Sequence, residues 1–440
     1  MSSTSDSSLR KARSRLTWLL PLGAAVLAIL SGCLGDESRP AVPTQQSIKH
    51  VFVITLENKD FSDSFGTSTQ DPYLQSLAKQ GALLSNYYGT GHVSLDNYVS
   101  MLSGQPSTQE TESDCFNGFN DVVSAGYDAA NPKVMKTQGG MGCVYPAEIK
   151  TLVNQLDDLK LSWKGYMGDM GNDPAREAAT CGHPKVGTLD NTQSAEAPTA
   201  TVPNGDQYAS RHDPFVYFHS IIDDQAYCDT HVVNLDASLQ NDLKSIDTTP
   251  NFVFVTPNLC DDGHDGDGTG AAGKGCVNGA KGGLSSINDF LTKWIPIIQA
   301  SPAYQKDGLI IINFDEAGAA ASTSGGTTVV NGKTTIIANE IGASCCGQPT
   351  GPNVTRPGDA YIPVSATVQY NIHYQGVGGD LTGAVMLSKW IAPGTVSTTP
   401  YNHYSMLRSL ENIFQTNGYL GYADDKSLVT FGTDIFTNLK

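Results

Sequence analysis

A carboxylate and an amide, Glu57 and Asn58, stand directly after the apolar, β-branched run at residues 50–56. Asp315 and Glu316 hold the same place after the run at residues 308–314. A third run, residues 251–256, leads into Pro257-Asn258-Leu259-Cys260-Asp261-Asp262-Gly263-His264-Asp265. Acids gathered at one place repel one another unless a cation sits among them. Glu57, Asn58, Asp315 and Glu316 offer oxygen donors alone, which suits one divalent metal ion of the hard kind (Ca²⁺, Mg²⁺ or Mn²⁺), whereas histidine or cysteine ligands would favour zinc. Ser94 is the candidate nucleophile. It comes after Gly89-Thr90-Gly91-His92-Val93 and precedes Leu95, Tyr98, Val99 and Leu102, whose spacing is helical. A neutral serine is a weak nucleophile, but helix-start amides and a nearby metal both favour its alkoxide. The same position also suits a serine that merely caps the helix. His264, after a strand and two acids, belongs at a polar site, and His212 and His403 each open an ordered segment beside polar residues. A serine, a divalent metal and several histidines together fit phosphoryl transfer, where catalysis is positioning plus charge stabilisation. The acid-rich residues 261–268 could instead be a calcium loop. An EF-hand, however, needs a glutamate at its twelfth position, and counting from Asp261, Asp262 or Asp265 reaches Ala272, Gly273 or Cys276.

These residues need a scaffold that brings strand ends together. The three runs are short and apolar throughout, as strands buried on both faces must be. Open parallel sheets bind ligands beyond the carboxyl ends of their strands, so the three runs would deliver acids and a histidine to one rim. Between them, residues 71–78 read as a helix capped by Asp71 with Pro72 in its first turn, and residues 82–88 as a second strand. Residues 151–161 read as a helix, 163–167 as a strand, and 284–300 as a helix that Pro296 should kink. Residues 385–390 read as a strand and 404–414 as an amphipathic helix. The alternation predicts an α/β fold, a mainly parallel central sheet flanked by helices. Residues 105–147 and 169–210 are irregular insertions, and the glycine- and threonine-rich residues 317–380 suggest hairpins.

The chain has 440 residues, 39% of them hydrophobic, with a formal net charge of −17. That balance argues against nucleic acid as a ligand, because binding it needs a basic footprint. Arg10, Lys11, Arg13 and Arg15 precede an apolar stretch at residues 16–30, and Leu30-Ser31-Gly32-Cys33 then looks like a lipobox. Residues 1–32 are accordingly predicted to be a lipoprotein signal peptide, Cys33 the lipidated N-terminus, residues 33–47 a flexible tether and residues 48–440 one catalytic domain. The protein would then be exported and anchored by lipid on the outer face of a bacterial membrane. The eight remaining cysteines, an even number in an exported chain, predict disulfides. Adjacent Cys345 and Cys346 have Cα atoms about 3.8 Å apart, below the usual disulfide span of about 4.4–6.8 Å, so each is expected to bond elsewhere.

The ordered segments ENKDF, GHVSLDNYVSMLSG, RHDPFVYF, PNLCDDGHD, NFDEAG and YNHYSMLRSLENIF resemble those of the bacterial phosphoesterases. That family includes secreted acid phosphatases, phosphatidylinositol-phosphate phosphatases and phospholipases C, within the alkaline phosphatase superfamily. The resemblance runs from about His50 to Phe436 and implies an alkaline-phosphatase-like fold with inserted loops. It implies one metal held by Glu57, Asn58, Ser94, Asp315 and Glu316, and a phosphoserine formed at Ser94 and then hydrolysed. It further implies that His264 binds phosphate or protonates the leaving group with Asp262 beside it, and that His212 and His403 lie near the phosphate. The HVSLDNY and NHYS segments lean towards phosphomonoesterases, so the expected partner is a phosphate ester, with phospholipids and phosphoinositides among the candidates. A phospholipase C and a non-catalytic surface lipoprotein that binds phosphate or metal are the alternatives.

Overall fold

The strand His50–Leu56 is buried along its whole length and pairs in parallel with Phe252–Thr256 on one side and Gly308–Phe314 on the other. The computed structural model describes residues 47–139, 141–318, 326–363 and 366–438. The predicted signal peptide, Cys33 and residues 33–46 of the tether lie outside these. Every described residue falls in one compact unit, Val42–Lys440.

Among the described residues, eight strands form one sheet. From edge to edge they are Thr395–Ser397, Ala82–Leu84, Ala384–Ser388, Gly308–Phe314, His50–Leu56, Phe252–Thr256, Trp163–Met167 and Val232–Asn234. All pairings are parallel except those of Ala384–Ser388, which runs against both its neighbours. The mainly parallel sheet is therefore present, with one reversed strand that the sequence does not mark.

Alternation within each apolar run feeds two cores. Val51, Val53, Phe252, Phe254, Leu309 and Ile311 face a core shared with the helices Ser94–Ser103, Leu152–Asp158 and His403–Phe414. Phe52, Ile54, Val253, Val255, Ile310 and Ile312 face a second core with Pro72–Gln80, Leu235–Asp242 and Gly283–Ala300. Each such side chain contributes about 1.5–3 kcal/mol on burial. Together they offset the several kcal/mol that a dry carboxylate costs at the end of a strand.

Gly283–Ala300 is one helix with Pro296 inside it, on the exposed face where water can serve the carbonyl it leaves unpaired. Three local expectations change. Asp71 precedes its helix, but its side chain accepts from Gln75 Nε2 (3.1 Å) rather than capping the backbone. Residues 82–88 are two strands in different sheets, Ala82–Leu84 and Tyr87–Tyr88. Finally, Cys345 bonds Cys346. The other six cysteines pair as Cys115–Cys143, Cys181–Cys228 and Cys260–Cys276, leaving these two for each other, with Cys346 turned to φ 66°.

Residues 317–380 hold a separate four-stranded sheet, Gly326–Val330, Lys333–Glu340, Val368–Tyr374 and Gly358–Pro363 in spatial order, with two antiparallel pairs around a parallel one. No described helix is long and apolar enough to cross a membrane.

Candidate active site

The three central strands end side by side, so the residues that leave each strand reach one rim. Glu57 emerges from His50–Leu56 with no exposure to solvent. Both of its oxygens accept hydroxyl groups: Ser94 Oγ donates to Oε2 (2.9 Å) and Tyr98 OH to Oε1 (2.5 Å). Ser94 and Tyr98 are four residues apart on one helix and so share a face. Tyr98 in turn stacks on the His212 ring, with centroids 5.4 Å apart and planes 9° from parallel.

Ser94 opens its helix without capping it. The capping position is Val93, at φ 76°, a left-handed conformation that a β-branched residue adopts only under constraint. The constraint is visible. Val93 N–H lies 3.1 and 3.0 Å from the two oxygens of Glu316, and Glu316 Oε2 also engages His92 Nδ1. The other His92 nitrogen meets Asp380 Oδ2 at 2.8 Å. Burial pulls the His92 imidazole down, but Glu316 and Asp380 outweigh it and push it up to about 10, so the ring is a cation held between two carboxylates.

Asn58 turns the chain at φ 53° and donates its N–H to Asp315 Oδ1 (3.1 Å), while its Nδ2 reaches Glu316 Oε1 (3.4 Å). Its Oδ1, together with Asp315 Oδ2 and His212 Nε2, is buried without a hydrogen-bond partner. Burial first, then the charges of Asp315 and Asp262, push the Glu57 carboxyl well above the usual range. Burial and Glu316 push Asp315 up to about 7. Lys59 lies near enough for its charge to interact with Asp262, Glu57 and Asp315, but its Nζ donates to the backbone carbonyls of Glu57, Asn58 and Gly263 at 3.3, 3.0 and 2.7 Å. Buried acceptors without donors beside mutually repelling carboxylates are what a cation would satisfy. The residues present therefore fit a divalent metal.

Two donor sets share Glu57. One is Glu57, Asn58, Ser94 and Asp315. The other is Glu57, His212 and Asp262, whose ligand atoms lie within 4.8 Å of one another. The imidazole widens the metal choice beyond the hard cations that oxygen donors alone would select. Of the predicted ligands, Glu316 has both oxygens engaged by groups other than the nucleophile's helix face, His92, Val93 and Asn58, whereas Glu57 is engaged by Ser94 and Tyr98.

The histidines divide by role. His212 is buried, with Nδ1 3.1 Å from Asp262 Oδ2 and Nε2 3.5 Å from Glu57 Oε1. Burial, then Arg211 and His264, hold it well below the ordinary imidazole range, so it is neutral. The expectation that Asp262 stands beside the His264 ring is corrected: its side chain orients His212 and accepts only the backbone N–H of His264 (2.7 Å). The His264 ring, about one-third exposed, is held by Asp265 Oδ1 at 2.8 Å and lines the cleft with Ser94 and Asn58. His403 stands behind the site. Its ring nitrogens meet Tyr87 OH (3.0 Å) and the Asp315 carbonyl (2.5 Å), so it buttresses Asp315 and does not line the cleft. Arg211 is a site residue that sequence reasoning does not single out. It is buried beside His264 (Nη2 to Nε2, 3.5 Å) and pairs with Asp114 through Nε at 3.4 Å. Its signal is its place next to His212 in RHDPF.

A family model described as the phosphoesterase family matches residues 67–417, which include Ser94, His212, Asp262, His264, Asp315 and His403 but begin after Glu57 and Asn58. The chain is similar to a phosphate-repressible acid phosphatase of Penicillium chrysogenum, 25% identical over 263 residues, covering 60% of this chain and 47% of the relative. It is also similar to a probable acid phosphatase of Kluyveromyces lactis, 24% identical over 277 residues, covering 61% and 48%. These relatives are fungal, and the chain spans about half their length. Among solved structures, murine ectonucleotide pyrophosphatase/phosphodiesterase 5 aligns over 89% of this chain and 98% of its own, at 11% identity and a TM-score of 0.41. A Vibrio parahaemolyticus protein of the alkaline phosphatase superfamily aligns over 83% and 66%, at 10% identity and a TM-score of 0.39.

Proposed function

Because the chain belongs to the phosphoesterase family, we propose that it hydrolyses phosphate monoesters with Ser94 as the nucleophile. The observation that carries this reading is Ser94 itself, set behind the strained Val93, at a helix start, with its proton already directed at Glu57. Glu57, Asn58, Ser94 and Asp315 would hold a divalent metal, which when bound supplies Lewis acidity towards the serine and phosphoryl oxygens. Ser94 Oγ attacks phosphorus, its proton passing to the carboxylate that already accepts it, and the bond from phosphorus to the leaving oxygen breaks. His264, fixed by Asp265 on the open side of the cleft, donates a proton to the departing alkoxide, help worth roughly 10²–10⁴-fold. Water then opens the phosphoserine, giving up a proton to His264, as the bond from phosphorus to Ser94 Oγ breaks and Glu57 returns its proton to the serine. Arg211, beside His264, adds a guanidinium where the phosphoryl oxygens gather charge.

The acid phosphatase relatives favour monoesters over the diesters of a phospholipase C, and an intact Ser94 among buried acceptors argues against a pure binding module. Export, through residues 1–32 and lipidation of Cys33, belongs to the same proposal, and the disulfides and the fungal acid phosphatases similar to this chain are compatible with it. The test is a panel of phenyl phosphate, glycerol 2-phosphate and phosphatidylcholine assayed with purified protein before and after chelation. Turnover of the monoesters that chelation removes supports the reading. Cleavage of phosphatidylcholine alone would assign the phospholipase activity instead.

A further inference from the structure

Two exposed aromatic side chains line walls of the cleft that holds Ser94: Phe116 at 45% exposure and Tyr370, on strand Val368–Tyr374, at 39%. Large apolar side chains bared inside a functional cleft mark a surface that something covers.

Neither wall is loose. Asp114 and Cys115, just before Phe116, both take left-handed backbone conformations (φ 52° and 57°), and Cys115 is tied by its disulfide to Cys143. Asp114 accepts the N–H of Leu95, next to Ser94, at 2.9 Å and pairs with Arg211. The turn that presents Phe116 is thus fastened to the same helix start and the same arginine as the chemistry. On the other wall, Tyr374 packs under the Arg356 guanidinium (4.0 Å to its centroid) and stacks on His92 (5.8 Å).

The cleft holds about 390 Å³, room for a phosphoryl group and one ring but not for two acyl chains. No lysine or arginine lines it among the described residues, while Asp114, Glu316 and Glu340 do. A leaving group bearing further phosphates would meet these carboxylates, while the nearest cations, His92 and Arg211, are already paired with Glu316 and Asp380 and with Asp114.

We propose that the protein selects phosphomonoesters whose leaving group carries one uncharged aromatic ring, seated between Phe116 and Tyr370. This rests on the monoesterase reading of Ser94. It predicts that inositol polyphosphates and phosphoinositides are poor substrates.

The test compares phenyl phosphate with glycerol 2-phosphate for wild type, Phe116→Ala, Phe116→Trp and Tyr370→Ala. Taking each variant against wild type on the same substrate cancels the intrinsic difference between leaving groups. Each alanine variant should raise KM for phenyl phosphate about tenfold with little change in kcat. For glycerol 2-phosphate the same variants should keep kcat/KM, and Phe116→Trp should restore phenyl phosphate binding. If wild type cleaves both esters and the alanine variants change both equally, or change neither, the aromatic subsite is wrong and the hydrolase reading stands. If wild type cleaves neither, both readings fall. Preference for vesicles of phosphatidylcholine doped with phosphatidylinositol phosphate over phenyl phosphate would also overturn it, in favour of a lipid occupant.

Discussion

Glu57 carries two hydroxyl donors and no ammonium or guanidinium, yet it lies fully buried with Asp315 and Asp262 close enough to push its proton affinity up. The group is therefore costly on its own terms and is kept for what it holds. Ser94→Ala removes the nucleophile from a position where Tyr98 still satisfies Glu57, so the fold should stand while turnover falls by at least about 10³-fold. Steady-state hydrolysis alongside a thermal melt checks both halves, and near-wild-type turnover would shift the attack to water. Asp315→Asn removes one charge from the orphaned set and leaves Asn58 N–H an oxygen to bond. It should lose bound metal and activity together, measured by elemental analysis of the dialysed protein. A variant that keeps its metal would place the ion on Glu57, His212 and Asp262 instead.

The turn at Val93 is the element on which the nucleophile depends. A left-handed β-branched residue costs about 1–3 kcal/mol, and glycine there removes that cost while adding about 0.5–1 kcal/mol of chain entropy. Val93→Gly should therefore raise stability by about 1 kcal/mol and lower kcat, because a relaxed turn no longer fixes Ser94. Denaturant titration and kinetics on the same preparation decide it, and a destabilised variant would show that the valine is not strained. The elements were legible to unequal degrees. The three central strands could be read because burial on both faces leaves almost no polar residue in them, which also marks the acids at their ends. Strand direction leaves no such trace, so the reversal of Ala384–Ser388 could not be seen. Tyr98 reads as a core position, which it is, but its hydroxyl ends on Glu57, and apolar spacing says nothing about the tip of a tyrosine. His403 lies in a segment resembling a phosphate contact, and only packing shows that its ring turns to a backbone carbonyl behind Asp315.

For the whole molecule, with a formal charge of −17, buried carboxyls govern how stability responds to pH. Glu411, 1% exposed on the helix His403–Phe414, accepts from Leu420 N–H through Oε1 (2.9 Å). Its Oε2 and the neighbouring Gln155 Oε1 have no donor. Burial pushes this carboxyl up from 4.5 to about 8, with the hydrogen bonds and Arg408 offsetting only part of the effect. The folded protein thus keeps a proton that the unfolded chain releases, so stability is full below about pH 4.5 and declines as pH rises towards 8. Glu411→Gln supplies an amide where Gln155 lacks a donor. It should match wild type at about pH 4 and exceed it by roughly 1–3 kcal/mol at about pH 8, read from urea midpoints. An equal change at both pH values would show that Glu411 does not titrate in this range.

The chain leaves the rim after Glu316 and returns at Asp380, and these two carboxylates sit on the two nitrogens of one ring, His92. At the same crossing Ala317 N–H bonds the Gly379 carbonyl at 2.8 Å. Entry and exit are therefore neighbours, and one imidazolium clasps both. The sheet between is not a free cassette, because Arg356 pairs with Asp96 on the helix of Ser94 (3.3 Å) and Gln348 Nε2 donates to the Thr90 carbonyl (2.7 Å). An exchange of the Tyr370 wall that spares the clasp and these two ties would leave the catalytic rim in register, and one chemistry could be refitted to new leaving groups.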